Sequence, residues 1–294
     1  MRAAAGHRYR LFGLDVQSEI DLGDLPEAHG PEETDVHISR AHIPHWNSMP
    51  EVAGFEATPD RVLLNFPDIG RFEITRGTTI RTDTGLEGSA ALRWRLLGLA
   101  FGVLLHQRGL LPLHATVVSI GELGVGFVGH SGAGKSTMAA YLMRRGHRLL
   151  IDDVSALSFH HGAAWAAPGY GRIRLLGDAI DALKLPQAER LLPEMEKFEL
   201  MADRAPRDPV RLDALVELRR GGQPSLDCLD LHETLELSLR HTYCRMFVKP
   251  LGRERETFQS CSQLAGAVRA FALTRPIDLS RIEESVALLE QAFL

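Results

Sequence analysis

Cysteine is scarce in this 294-residue chain. There are three, Cys228, Cys244 and Cys261, an odd number without C-x-x-C spacing. That excludes a disulfide framework and a cysteine zinc site, and it predicts reduced thiols in a cytoplasmic protein. Positive charge is not in excess either: the formal net charge of −5 leaves no overall basic field for nucleic acid. Long hydrophobic runs are missing. The most apolar stretch, Leu96 to Leu105, follows Arg93 and Arg95 and is too short to span a bilayer. The first residues carry Arg2, His7, Arg8 and Arg10 without an apolar core, so no secretory leader is expected. There is no internal repeat and no low-complexity tract. What remains, 45% hydrophobic and 24% charged residues, is the composition of a globular protein with one large domain or two ordinary ones.

The most informative stretch is Gly129-His130-Ser131-Gly132-Ala133-Gly134-Lys135-Ser136-Thr137, which fits G-x-x-x-x-G-K-[ST], a phosphate-binding loop. Its flanks agree. Leu123 to Val128 is apolar and strand-like, Met138 to Arg145 reads as a helix, and Gly146 offers a left-handed C-cap. Glycines let backbone N–H groups turn inward without Cβ clashes. The helix N-terminus adds partial positive charge beneath a bound polyphosphate. In such a loop Lys135 reaches the β- and γ-phosphates of ATP and the Ser136 hydroxyl ligates Mg2+. Thr137 supports the helix start or an α-phosphate contact.

A second stretch, Arg148-Leu149-Leu150-Ile151, is an apolar strand that ends in Asp152-Asp153. Strand ends of an α/β sheet open into the ligand crevice, and hard carboxylate oxygens suit Mg2+. Asp152 and Asp153 are therefore candidate metal and catalytic residues. They follow Lys135 closely, so strand, loop, helix and strand form one βαβ unit with both sites at its carboxyl edge. Arg172 and Arg174 share a face if their segment is a strand. Together they can clamp a transferring phosphoryl group or an acidic acceptor, or simply line a solvated edge. His114 is the second residue of a strand, Leu113 to Ile120, which places it one strand away from the loop.

Elsewhere the sequence specifies scaffold. Residues 1 to about 85 alternate with period two and predict strands at Tyr9–Val16, Asp35–Ile38, Phe55–Thr58, Arg61–Phe66, Arg71–Ile74 and Thr79–Thr82. Pro59-Asp60 and Gly77 mark hairpin turns, and the polar run 27–33 a loop. Ser89 to Gln107 predicts one long buried helix stopped by Gly109. Further on, Gln187–Arg204 reads as a surface helix, Ala214–Leu218 as a strand, and Leu231–Tyr243 and Cys261–Phe271 as helices. Ile282, Val286, Leu289 and Phe293 form the stripe of a last helix capped near Ser280.

Leu113-His114-Ala115, the loop of form G-x-S-G-x-G-K-S and Ile151-Asp152-Asp153, in that order, resemble the HPr kinase/phosphorylase family over roughly residues 100 to 290. The resemblance implies an α/β fold with the P-loop core of the HPr kinase/phosphoenolpyruvate carboxykinase type. A small β-rich N-terminal domain, 1–88, would precede a kinase domain, 89–294. It implies that Gly129 to Thr137 hold ATP and that Lys135 stabilises phosphate charge. Ser136 and one of Asp152/Asp153 would hold Mg2+, the other aspartate would accept a proton from a serine hydroxyl, and His114 would sit beside the transfer centre. The family's E-x-R-G-x-G-I sequence is absent, with Pro168 to Leu175 in its place, and the N-terminal portion is shorter than usual. Arg10-Leu11-Phe12-Gly13-Leu14, Ser18-Glu19-Ile20 and Arg172-Ile173-Arg174-Leu175 are similar to the branch that serves ribosomal peptide natural products, including lasso peptide precursor kinases. The expected activity is thus ATP- and Mg2+-dependent phosphorylation of a serine on a peptide or small protein, with no nucleic acid or membrane partner, by a chain that could form a homo-oligomer. HPr kinase/phosphorylase proper, a small-molecule kinase and a nucleotide-dependent regulatory module are the alternatives.

Overall fold

In the computed structural model, which describes residues 6–23, 25–28, 33–44, 53–169, 172–183, 189–190, 196–201 and 208–294, the chain divides into two units. One is Met1–Leu110 with Cys244–Glu256, the other Leu111–Tyr243 with Thr257–Leu294. The division therefore falls at 110/111 rather than at 88/89, and the helical stretch of residues 90–107 goes with the first unit. Parts of the polar run 27–33, parts of 187–204, and the Tyr170-Gly171 pair lie outside the described residues.

Left-handed turns cut the first unit into strands. The expected strand Tyr9–Val16 is instead a hairpin of β1 (His7–Leu11) and β2 (Leu14–Ser18). Phe12 (φ 53°) and Gly13 (φ 74°) reverse the chain, and Leu11 pairs with Leu14. Two successive positive φ values suit the right-handed twist of a hairpin. Alternation alone does not reveal a two-residue turn that carries a phenylalanine. β3 (Val36–Arg40), β4 (Gly54–Ala57), β5 (Arg61–Phe66), β6 (Gly70–Thr75) and β7 (Thr79–Asp83) follow, close to the strands expected. The sheet order is β1-β2-β3-β7-β6-β5-β4. Ser89 caps α1 (Ala90–Arg95), its hydroxyl accepting from the Leu92 N–H at 3.1 Å, a contact that stabilises such a helix by ~1 kcal/mol. The expected long helix runs unbroken from residue 90 to 107, with a wider π turn, Leu96–Ala100, between α1 and α2 (Phe101–Gln107). The segment Cys244–Glu256 contributes Phe247, whose ring lies 4.5 Å from that of Phe55.

The second unit is built around one mixed sheet. In chain order it comprises β8 (Leu111–Leu113), β9 (Thr116–Ile120), β10 (Leu123–Val128), α3 (Lys135–Arg144), β11 (Arg148–Ile151), β12 (Ser155–His160), β13 (Ala163–Ala166), β14 (Arg172–Leu176) and α4 (Gly177–Leu183). Then come β15 (Glu189–Arg190), β16 (Lys197–Met201), β17 (Val210–Leu212), β18 (Ala214–Arg220), β19 (Ser225–Leu229), α5 (Leu231–Arg240), α6 (Glu254–Ala267), β20 (Arg269–Arg275) and α7 (Ile282–Phe293). The central order is β11-β9-β10-β18-β20-β19, with β10, β18 and β20 mutually parallel. β9 runs antiparallel to both β10 and β11. The strands that lead to the loop and to the aspartates therefore end at the same edge without touching. Apolar side chains of the sheet and helices close the core, among them Val118, Phe127, Met138, Val216, Leu289 and Phe293. The last helix buries the stripe Ile282, Val286, Leu289 and Phe293, as expected.

Three expectations change here. The strand Leu113–Ile120 is broken: β8 joins β12, β13 and β17 in a separate sheet, and His114 falls in the gap before β9. The break has a backbone cause, because the Ala115 N–H turns back to the Leu113 carbonyl (3.0 Å) and the His114 N–H donates to the His241 carbonyl (2.9 Å). The described parts of 187–204 are strands rather than a surface helix, with β16 antiparallel to β14. Leu200 packs on the core while Glu199 turns to the other face, a period of two hidden among charged neighbours. Finally the helix expected over Cys261–Phe271 stops at Ala267, and Phe271 lies on β20, whose Ala270, Ala272 and Leu273 are buried in the sheet.

Candidate active site

The phosphate loop spans the gap between β10 and α3. Gly134 is the N-cap of α3 with φ 92°, and a Cβ there would overlap the Arg275 guanidinium, so only glycine fits the backbone and its neighbour together. The helix ends as the sequence asks. Gly146 (φ 95°) lets its own N–H reach the Met143 carbonyl (3.0 Å) and the His147 N–H reach that of Leu142 (3.1 Å), a Schellman closure. Lys135, the first helical residue, is buried and folds back over the loop, its Nζ donating to the Gly129 carbonyl at 2.9 Å and to that of His130 at 3.4 Å. His130, Ser131 and Gly132 are exposed at the mouth, while Ala133 and Thr137 are half-buried.

The acidic pair meets this loop. Asp152 is buried, and its Oδ1 accepts from the Ser136 hydroxyl at 3.0 Å and from the Thr116 hydroxyl at 2.7 Å. Its Oδ2 accepts from the Arg174 backbone N–H at 2.9 Å. Burial pushes the Asp152 carboxyl above the ordinary aspartate value, and the neighbouring Asp153 pushes it further. The Thr116 and Arg174 hydrogen bonds pull the other way. Asp153 takes a left-handed backbone (φ 71°), which turns it away from its neighbour. Its Oδ1 lies 3.4 Å from His114 Nε2 and its Oδ2 accepts from Arg174 Nη1 at 2.7 Å. Asp153 is partly exposed and Asp152 is not. Ser136, Asp152, Asp153, His114 and Arg174 thus form one continuous polar chain at the lip of the sheet.

Arg172 and Arg174 do share a face of β14, and the face is buried. Arg172 Nη1 and Arg174 Nε donate to the two oxygens of Glu199, at 3.2 and 3.3 Å. The arginines are thereby fixed, with Arg174 bridging Glu199 to Asp153 and Arg172 anchored behind it.

Other residues converge on the loop without having been singled out in the sequence. Glu217 sits on β18 opposite Val128, one residue before the loop. His241 (Nε2 at 3.8 Å), Arg219 (2.6 Å) and Arg240 (2.7 Å) surround its carboxyl and hold it at about 2, against the effect of burial. The arginines are at hydrogen-bonding distance and the histidine is not, so most of the effect is theirs. Burial lowers the His241 imidazole, and its ring packs edge-on to that of His130, centroids 5.9 Å apart. Arg220 and Arg275 reach the carbonyls of Gly132 and Ala133. A lone acid in the apolar run Ala214–Leu218 was a readable signal for Glu217. Nothing local marks Thr116, Glu199, Arg220, His241 or Arg275.

These residues fit a magnesium polyphosphate. A hydroxyl and a carboxylate 3.0 Å apart are the hard oxygen donors that Mg2+ takes, the remaining positions going to phosphate oxygens and water. Among the described residues no three His, Cys, Asp or Glu side chains converge on a metal site, and a magnesium ion held in this way needs no such cluster.

Residues 110–166 match the family model of the HPr Serine kinase C-terminal domain. An HPr kinase/phosphorylase of Mycoplasmopsis pulmonis is 37% identical over 90 residues, 29% of this chain and 28% of that protein. One from Streptococcus thermophilus is 40% identical over 65 residues, 22% and 21% of the two chains. One from Limosilactobacillus reuteri is 54% identical over 41 residues, 14% and 13%. The chain thus spans little more than a quarter, at most, of the length of these curated relatives. The solved HPr(Ser) kinase/phosphatase of Coxiella burnetii aligns with 62% of this chain and 95% of its own, at 14% identity and a TM-score of 0.33. The matched segment contains His114, the phosphate loop and both aspartates, so the HPr kinase-like character lies where the site lies. Among the described residues no helix is long and apolar enough to cross a membrane.

Proposed function

We propose that this chain, with its HPr kinase-like core, is an ATP-dependent phosphotransferase whose acceptor is a serine hydroxyl on a peptide or small protein, working in the cytoplasm. The observation that carries the reading is the Ser136–Asp152 hydrogen bond of 3.0 Å, which joins the nucleotide loop to the acidic pair. Gly129 to Thr137 cradle the phosphates, and Lys135 leaves its loop carbonyls to neutralise charge on the oxygens being transferred. Magnesium, when bound, supplies Lewis-acid charge neutralisation. Ser136 and Asp152 would hold it, a role supported by their mutual contact and by the burial of Asp152. Asp153 accepts the serine proton. Its partial exposure, its turned backbone and its two partners support that assignment: Arg174 fixes one oxygen and His114 faces the other. Arg172 and Glu199 hold Arg174 in place.

The finer reading, a lasso or other ribosomal peptide precursor as substrate, rests on the short similarities around Arg10, Ser18 and Arg172. The test is phosphopeptide mass spectrometry with serine-bearing precursor peptides and HPr offered side by side. Wild type should label a serine, while Lys135→Ala and Asp153→Asn should each lose about 10²–10⁴-fold in rate. Equal product from wild type and both variants would sink the assignment. Labelling of HPr alone would remove the peptide substrate and leave the kinase.

A further inference from the structure

Two arginines that reach the loop have no part in the reading above. Arg220 and Arg275 are opposite one another in the last register position of the parallel pair β18–β20. Those strands run parallel to β10, so both arginines emerge at the edge where the loop begins. Arg275 is 7% exposed, and its Nη2 donates to the Ala133 carbonyl at 2.8 Å. Arg220 is exposed, and its Nη2 donates to the adjacent Gly132 carbonyl at 3.3 Å.

Neither forms an ion pair among the described residues, although arginines elsewhere in this unit commonly do. Arg275 Nε is buried without a hydrogen-bond partner. Burial, and then Arg220 itself, pull the Arg275 guanidinium below its usual value. Assembling two like charges that have no ion-pair partner among the described residues is unfavourable in the empty protein. An anion in the loop relieves that cost.

We propose that Arg220 and Arg275 form an anion clamp that completes the phosphate loop, Arg220 contacting a phosphate of the bound nucleotide while Arg275 fixes the Gly132–Gly134 arc. Arg220 is the ligand-touching member. Arg275 is a positioning residue, and the glycine at 134 is the space it needs. The inference rests on the nucleotide reading of the loop, and it adds a second cationic arm besides Lys135.

The test is calorimetric titration of the full chain with Mg-ATP and, separately, with magnesium tripolyphosphate, which has no base or ribose. Arg220→Gln should weaken both ligands by the same factor, about 10- to 100-fold for one charge-assisted hydrogen bond, and should not lower the unliganded melting temperature. Arg220→Lys should recover part of the loss. Arg211→Gln, an exposed arginine paired with Asp213, should bind as wild type does. Wild-type affinity in Arg220→Gln, with affinity lost in Lys135→Ala, overturns the clamp and leaves the nucleotide site standing. Weakening confined to Mg-ATP overturns the phosphate contact. A wild type that binds neither ligand overturns both readings.

Discussion

Replacing Thr116 with valine removes one hydroxyl and almost no volume, and the structure fixes what that should do. Thr116 is fully buried, and its hydroxyl is one of three donors to Asp152, itself 5% exposed. A hydrogen bond to a buried carboxylate contributes about 1.5–3 kcal/mol. For a domain of this size that is a fall in Tm of about 3–12 °C. The pH dependence is the sharper part. Asp152 is raised in the folded protein, so its contribution to stability is fully present below the ordinary value of 3.8 and is lost as pH rises through the raised value. The Thr116 hydroxyl opposes that loss by favouring the ionised form. Thr116→Val should therefore be most destabilising at the upper end of the pH range the fold tolerates, above the raised value at which Asp152 ionises. The penalty should shrink at the lowest pH the fold tolerates, where the carboxyl carries its own proton. Urea denaturation of wild type, Thr116→Val and Thr116→Ser at both pH values measures this without substrate or nucleotide. A penalty that is the same at both, or a valine variant as stable as wild type at the higher pH, refutes the reasoning.

Two further outcomes follow from buried charge. Glu199→Gln removes the carboxylate that two buried arginines share, and it should cost about 3–5 kcal/mol in denaturant midpoints, with phosphoryl transfer falling as Arg174 loosens its hold on Asp153; a cost below about 1 kcal/mol speaks against a structural role for the cluster. Glu217 is held at about 2 against an ordinary 4.5, so its contribution is present above 4.5 and is lost as pH falls towards 2. Glu217→Gln should flatten the acid limb of the stability curve in that window, as followed by circular dichroism, and an unchanged limb counts against the arginine cage.

The legibility of this chain divides by range. Glycine and local periodicity carry information within a few residues. Hence the phosphate loop, the helix closed by Gly146, the strand Arg148–Ile151 before the aspartates and the stripe of the last helix were all readable. The hairpin at Phe12-Gly13 was misread because its left-handed turn uses an apolar residue. β16 was misread because its alternation pairs Leu200 with a buried Glu199 that only its arginine partners on β14 explain.

By itself the sequence determined that a loop of phosphate-binding pattern and an acidic pair belong to one strand–helix–strand unit, since backbone freedom and apolar runs are local properties. Only the tertiary structure decided that β9 separates their strands, that Thr116 and Ser136 hold Asp152 while His114 and Arg174 hold Asp153, and that Arg220 and Arg275 reach the carbonyls of the loop. Those pairings join residues far apart in the chain. They depend on strand order and register, which the packing of the whole sheet selects.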